Sequence, residues 1–361
     1  MAKRISGLWP KIIQPSSLLE AAERACAGKK NRPDVARFLL NMDMEIIRLH
    51  RELSEGTYQP GQYQHFRIRD PKPRWISAAP IRDRVVHHAL TGALEPIWET
   101  RYLSACFACR KGKGVHAALR YVQKAAAKYK YALKCDIRKY FASIDHALLM
   151  EEIKSGISCR PTLNFVEQLL RHQRGPEEFI QHFPGDNLFT PLERDSGIPL
   201  GNQTSQFFAN VYLNRFDHFV QRQLRPAAYF RYVDDFGLFG DSKEELWEMR
   251  QELIGFLASL RLRLHEGKSR CYPIRNGVTF LGWRIFPGHS RLSRSGVIRF
   301  RRRLRQTWLD FQDGTEDWKS VECRVHGLIG HLQHGDTWAL RRRWLSAYPF
   351  ILSRRSQLTE C

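Results

Sequence analysis

The sequence predicts an α+β fold: an antiparallel sheet packed with helices, with further helical segments at both ends. Three observations predict it. Apolar, aromatic-rich runs at 131–135 and 228–239 have the length and composition of core strands, and the second is interrupted by the pair Asp234-Asp235. Apolar stripes at helical spacing lie between and around these runs. From Arg291 onward, arginines alternate with aromatics in a pattern that suits a helical lobe.

Taken in order, Ser17 and Glu20 have the spacing of a capping box for a first helix. Val35, Phe38, Leu39, Met42, Ile46 and Leu49 form one apolar stripe, with Gly56 placed to end that helix. Residues 61–79 read as short strands with basic residues, and Arg82 to Trp98 as a helix. Arg110-Lys111-Gly112-Lys113-Gly114 is a glycine-spaced basic loop, suited to a phosphate backbone but equally to a plain basic turn. Its spacing is not that of a P-loop.

The run Tyr131 to Cys135 ends in Asp136 and then an aromatic-rich turn, Lys139-Tyr140-Phe141. Asp145 is a rival to Asp136 as a metal ligand, but its place just before Ala147-Leu148-Leu149 suits a helix N-cap better. Residues 160–174 are predicted as a helix, 175–195 as a loop-rich insertion, and 201–224 as another helix. Tyr232-Val233-Asp234-Asp235 then reads as a hairpin tip. Ser242 and Glu245 form a second capping box, followed by Leu246, Met249, Leu253, Leu257 and Leu260 at helical spacing, a stripe that would cover one face of the sheet.

Two like charges at a hairpin tip between apolar strands need a neutralising partner. A pair of Mg²⁺ ions is the expected one, since carboxylate oxygens suit a hard cation, and Asp136 would supply the third carboxylate. Arginine and lysine outnumber the acids by 58 to 37, a net charge of +21 that favours a polyanionic partner. No apolar run approaches the ~20 residues of a membrane span, and Met1-Ala2-Lys3-Arg4-Ile5 lacks the apolar core of a secretory signal. Eight cysteines without a disulfide rhythm suit a reducing cytoplasm. Cys106 and Cys109 have zinc-knuckle spacing but lack a second pair, so two buried cysteines is the competing reading.

The order of motifs resembles that of reverse transcriptases. Asp136 at a strand end is followed by Gly197-Ile198-Pro199-Leu200-Gly201-Asn202-Gln203-Thr204-Ser205-Gln206, the Tyr-Val-Asp-Asp tip, Gly267-Lys268 and Phe280-Leu281-Gly282-Trp283. The resemblance runs from about Tyr63 to Pro287. Within that class the chain is similar to the enzymes of diversity-generating retroelements, on the form of the 200–206 motif and the compact length; the alternatives are a retron-, group II intron- or phage-defence-type enzyme, or a nucleic-acid-binding relative that kept the fold and lost catalysis. Retron and group II intron enzymes usually have Gln before the glycine and Pro after the serine, where this chain has Leu200 and Gln206.

The resemblance implies a right-hand polymerase. Residues 1–130 would be an N-terminal extension and fingers, 131–150 the first part of the palm and 151–195 an insertion. Residues 196–288 would complete the palm, and 289–361 would form a basic helical thumb. It implies metal binding by Asp136, Asp234, Asp235 and the Ile137 backbone to two Mg²⁺, with Mn²⁺ as a substitute. Lys72, Arg74, Lys139, Tyr140, Phe141, Leu200, Gln206 and Lys268 would meet the nucleotide. Phe141 would exclude a ribose 2′-OH, and Lys268 would stand near the pyrophosphate.

Arg110, Lys111, Lys113, Gly201, Asn202, Gly282, Trp283, Arg301, Arg302 and Arg303 would contact nucleic acid. Arg82 would either do the same or brace the fingers. Implied partners are a template RNA, its RNA–cDNA duplex, deoxynucleoside triphosphates and a small basic accessory variability protein, in the cytoplasm of a bacterial or phage-infected cell. A Leu at position 200 lacks the donor and acceptor of the Gln found in many relatives, which predicts an error-prone enzyme; the subgroup's bias toward errors at template adenines comes from the resemblance. With the expected thumb reaching almost to Cys361, no RNase H or endonuclease domain is expected within these residues.

Overall fold

The computed structural model describes residues 4–69, 73–172 and 179–348. The predicted α+β architecture is what forms. Its centre is a four-stranded antiparallel sheet in the order Ala228–Tyr232, Asp235–Gly240, Tyr131–Asp136, Arg270–Pro273. Side chains on successive residues face opposite sides of this sheet. Leu133, Cys135, Phe236 and Leu238 enter one core, under the helix Lys243–Ser259 with its buried Leu246, Leu253 and Leu257. Ala132, Phe230 and Phe239 enter a second core, with Leu119 and Val122 of the helix Val115–Ala126 and with Phe280 and Trp283. Burial on both faces is why these strands read as nearly continuous apolar runs.

Gly237 shows how closely the sheet is packed. A Cβ there would lie 2.6 Å from the Phe230 ring on the neighbouring strand and 3.0 Å from the Leu133 carbonyl oxygen. Gly237→Ala is expected to destabilise the protein by about 1–3 kcal/mol through overpacking, read as a lowered midpoint in urea unfolding. A midpoint equal to wild type would show that the Phe230 ring moves aside freely.

The predicted short strands are a separate antiparallel pair, Gln64–Ile68 with Arg74–Ala78. A three-stranded sheet, Val278–Phe280, Trp283–Phe286 and His289–Leu292, leads into three helices, Arg294–Gln312, Trp318–Leu332 and Trp338–Ala347. Phe300, Phe311 and Trp344 are buried between these helices, whereas Trp338 is exposed. Among the described residues no helix is long and apolar enough to cross a membrane.

Several local expectations change. Ser17 does not cap the first long helix, Pro15–Cys26: Pro15 occupies its first turn, where a missing N–H costs nothing, and Ser17 lies inside, accepting a bond from Gln14. The stripe 35–49 is split at Asn41 into Pro33–Leu40 and Met42–Glu55, and Gly56 does end the second helix, at φ 72°. The helix expected over 201–224 is Gln203–Tyr212, then Asn214–Phe219 and a five-residue π turn, Val220–Leu224. The Ser242 hydroxyl accepts from the Glu245 N–H, but the carboxylate it meets is that of Glu244, so the box is half formed. Asp145 is an N-cap, its carboxylate accepting from the Leu148 N–H at 3.0 Å.

Candidate active site

The register of the central sheet brings the three predicted acids together. Asp136 and Asp235 are directly opposed across neighbouring strands, and the Ile137 N–H donates to the Asp234 carbonyl at 3.2 Å. Between them the hairpin turns tightly: Val233 is held at φ 59°, a left-handed conformation that costs a β-branched residue about 1–3 kcal/mol.

Burial, reinforced by the charge of Asp136, raises the Asp234 carboxyl above its ordinary range. Burial pushes Asp235 up to about 7, against the pull of Lys134 and with added repulsion from Asp234 and Asp136. Two lysines oppose this crowding. Lys134 Nζ stands 3.2 Å from Asp235 Oδ2, and Lys268 Nζ donates to Asp136 Oδ1 at 2.9 Å.

The acids therefore face separate lysines, and among the described residues no three acidic, histidine or cysteine side chains already converge on one metal position. The donor set still fits divalent cations. It is all hard oxygen, burial raises the carboxyls of Asp234 and Asp235, and Asp235 Oδ1 is buried without a hydrogen-bond partner. Asp136, Asp234, Asp235 and the Ile137 backbone are the groups that would hold Mg²⁺.

Beside the acids opens a cleft of about 450 Å³, with Asp136 and Asp234 in its wall. Arg74, Phe141, Leu200 and Lys268 line it, as the sequence predicted, and so do Ile137 and Lys139. Phe141 is half-buried between the acids and the 197–200 segment, bound to the latter through the Ile198 N–H, which donates to its carbonyl at 2.8 Å. Lys72 lies outside the described residues. Trp75, Arg138 and His265 also line the cleft. Sequence reasoning passed over them, although Trp75 directly follows Arg74 and Arg138 is two residues beyond Asp136. His265 had no local signal: its N–H donates to the Asp136 carbonyl at 2.7 Å, a pairing between distant segments.

Other predicted residues prove to be structural. Tyr140 borders the cleft, but its side chain is buried and its hydroxyl donates to the Ala209 carbonyl at 2.5 Å, so the phenol is not available to a nucleotide. Gln206 is carried off the cleft by the helix starting at Gln203, and its amide oxygen accepts from the Cys109 thiol at 3.3 Å. Gly201, at φ 121°, allows close packing, since a Cβ there would come within 2.9 Å of Ile76 and 3.0 Å of the Ser77 carbonyl. Asn202 is buried with its amide unpartnered, out of reach of a nucleic acid surface.

Arg110 is engaged inside the protein, bridging Glu99 at 2.6 Å and the carbonyls of Leu103 and Cys106. Lys111 is exposed, whereas Lys113 is partly buried and donates to the Ser104 carbonyl at 2.9 Å, so of the loop's three cations Lys111 keeps the outward position. Arg82 braces the N-terminal helices, 3.5 Å from Glu45 and 2.5 Å from Glu52, which favours the bracing alternative. Trp283 is fully buried against His331, joining hairpin to helices as expected of a side chain that packs, and Gly282 takes the turn at φ 84°. Arg301, Arg302 and Arg303 are exposed on Arg294–Gln312. Cys106 is buried and donates to Asp217, whereas Cys109 is exposed, so the two do not share a partner.

Acids from the ends of the two central strands, meeting beside a cleft with basic side chains, are what a nucleotidyl-transfer site requires. The chain belongs to the reverse transcriptase (RNA-dependent DNA polymerase) family, whose profile matches residues 68–285. It is 28% identical over 341 residues to Protein YkfC of Escherichia coli strain K12, covering 82% of this chain and 87% of that protein. It is 23% identical over 179 residues to the group II intron-encoded protein LtrA of Lactococcus lactis subsp. cremoris, covering 49% of this chain but only 28% of LtrA. Among solved structures, apo telomerase from Candida tropicalis overlaps 64% of this chain and 55% of that one, with a TM-score of 0.43 and 13% identity.

Proposed function

We propose that this chain is an RNA-directed DNA polymerase that adds deoxynucleotides to a primer 3′-OH on an RNA template. The observation that carries the reading is the register that sets Asp136 opposite Asp235, with Asp136 and Asp234 in the wall of a cleft that basic side chains line. Two Mg²⁺ held there would lower the pKa of the primer hydroxyl and neutralise the departing pyrophosphate. The protein's own share is position and charge. Arg74 faces the triphosphate, and Lys268 stands beside Asp136, within reach of the pyrophosphate as it leaves. Phe141 walls the sugar site. The exposed arginines 301–303 grip the template–primer backbone. Primer extension on an RNA template with Mg²⁺ is the test, and absence of any extension by the purified wild type would overturn the reading.

For the finer assignment, we favour error-prone synthesis of the diversity-generating kind, with an accessory variability protein as partner. Leu200 lines the cleft with no group to hydrogen-bond a nucleotide, which supports looser discrimination. A second reading, an intron-type or retron-type enzyme, is favoured by the similarity to LtrA. Sequencing cDNA made on the cognate RNA separates them: clustered errors at template adenines support the first, accurate copies the second. Under the first reading, Leu200→Gln is expected to lower adenine misincorporation about 3- to 10-fold, the worth of one added polar contact. Equal error rates before and after would remove Leu200 from the explanation.

A further inference from the structure

One buried guanidinium touches the turn that carries the acids. Arg231 lies in the strand Ala228–Tyr232 and is 1% exposed. Its Nε and Nη2 donate to the two oxygens of Asp217 at 2.7 and 2.6 Å. Asp217 is itself fully buried and also accepts from the Tyr229 hydroxyl at 2.6 Å and the Cys106 thiol at 2.8 Å. Nη1 points the other way. It donates to Asn210 Oδ1 at 3.2 Å and to the Val233 carbonyl at 3.1 Å. The Arg231 backbone is tied as well: its N–H donates to the Ala105 carbonyl at 2.9 Å, and its carbonyl accepts from the Phe107 N–H at 3.0 Å.

The Val233 carbonyl is the last fixed point before Asp234, and Val233 holds a left-handed φ of 59° that its side chain disfavours. Such a conformation persists only where its surroundings impose it. A buried ion pair is seldom the most stable filling for a core, which apolar side chains of the same volume fill as well. This guanidinium uses one donor on the turn while Asp217 and Asn210 fix its plane.

We infer that Arg231, oriented by Asp217 and Asn210, is a positioning residue for nucleotidyl transfer, holding the Val233 carbonyl and thereby setting where Asp234 stands. The inference rests on the polymerase reading above. A lysine at 231 keeps a positive charge for Asp217 but has no planar fork with which to serve Asp217, Asn210 and Val233 together.

The experiment measures Arg231→Lys and Asn210→Ala by primer extension, with burst amplitude to count active sites, alongside dNTP KM, template–primer Kd and thermal unfolding. The expected result for Arg231→Lys is a kcat per active site about 100-fold lower, the effect of a small misplacement of a reacting group, with KM and Kd near wild type. Asn210→Ala leaves the ion pair intact but also removes the Asn210 amide's bond to the Ala108 carbonyl at 2.8 Å, so it is expected to melt earlier than wild type while losing about 5-fold in kcat per active site. An Arg231→Lys protein that melts earlier but turns over at the wild-type rate per site would overturn the inference, assigning Arg231 to core packing. Should Arg231→Lys fail to fold, Asn210→Ala decides: lower kcat upholds the positioning role, and wild-type kcat rejects it. A wild type that extends no primer removes the polymerase reading and this inference with it, whereas an active wild type with an unaltered Arg231→Lys removes this inference alone.

Discussion

Asp136→Asn and Asp234→Asn will each reduce primer extension by about 10³-fold or more, with template–primer affinity close to wild type. The reason is the source of the rate. In phosphoryl transfer the protein contributes little covalent chemistry, so losing one carboxylate of three removes a third of the charge that would hold the cations and a ligand that would fix their position. Unfolding is not the expected cause. Burial and mutual repulsion already raise Asp234 above its ordinary pKa, so neutralising either acid relieves a strained pair. Among the described residues the ion pair weakened with Asp136 is that to Lys268, a half-exposed lysine, and exposed pairs contribute about 0–1 kcal/mol. The exposed arginines 301–303 lie on a different lobe, which is why duplex binding should persist. Filter binding and primer extension on the same preparations check both halves. Extension at a tenth of wild type or better would remove the metal-site assignment. Lost duplex binding would show that the substitution damages more than the site.

Phe141→Ala is expected to raise ribonucleotide incorporation relative to deoxynucleotide by about 10- to 100-fold, mostly through kcat/KM for the ribonucleotide. Phe141 lies in the cleft wall with Asp136 and Asp234, half-buried, and its backbone is pinned by Ile198. A ring so placed rejects an added hydroxyl by volume, and removing it leaves space without adding a hydrogen-bond partner. The fold should tolerate this better than loss of the neighbouring Tyr140, whose ring is wholly buried and whose hydroxyl is bonded to Ala209. Single-turnover insertion of matched ribo- and deoxynucleotides gives the ratio directly. An unchanged ratio would make Phe141 a packing residue and place sugar selection elsewhere in the cleft.

Tyr140 and Phe141 also show where sequence reading stops. Adjacent aromatics in one turn are indistinguishable by type, yet one faces the core and the other the cleft. Arg82 and Arg110 make the same point for charge. Both sit in basic motifs that suit phosphate, and both are taken up by glutamates, Arg82 by Glu45 and Glu52 and Arg110 by Glu99. A long cationic side chain is committed by whichever carboxylate the fold brings within reach, and pairing across 11 residues for Arg110 and 30 for Arg82 leaves no local pattern. The helix breaks at Asn41 and Leu213 were hidden for a related reason: the apolar stripe continues across each of them, so periodicity alone carries no sign of the turn.

By itself the sequence determined the mixed architecture, the strands of the central sheet, the Asp145 cap, and the identity of the three acids. Each of these is written locally, in residue type and short-range spacing, because strand burial and hairpin turns constrain neighbours in the chain. Only the tertiary structure decided which cations face the acids, which aromatic walls the cleft, and that Arg231 reaches back to the turn before Asp234. Those outcomes depend on distances between segments far apart in the chain, and such distances exist only once the sheet has closed and its two cores have packed.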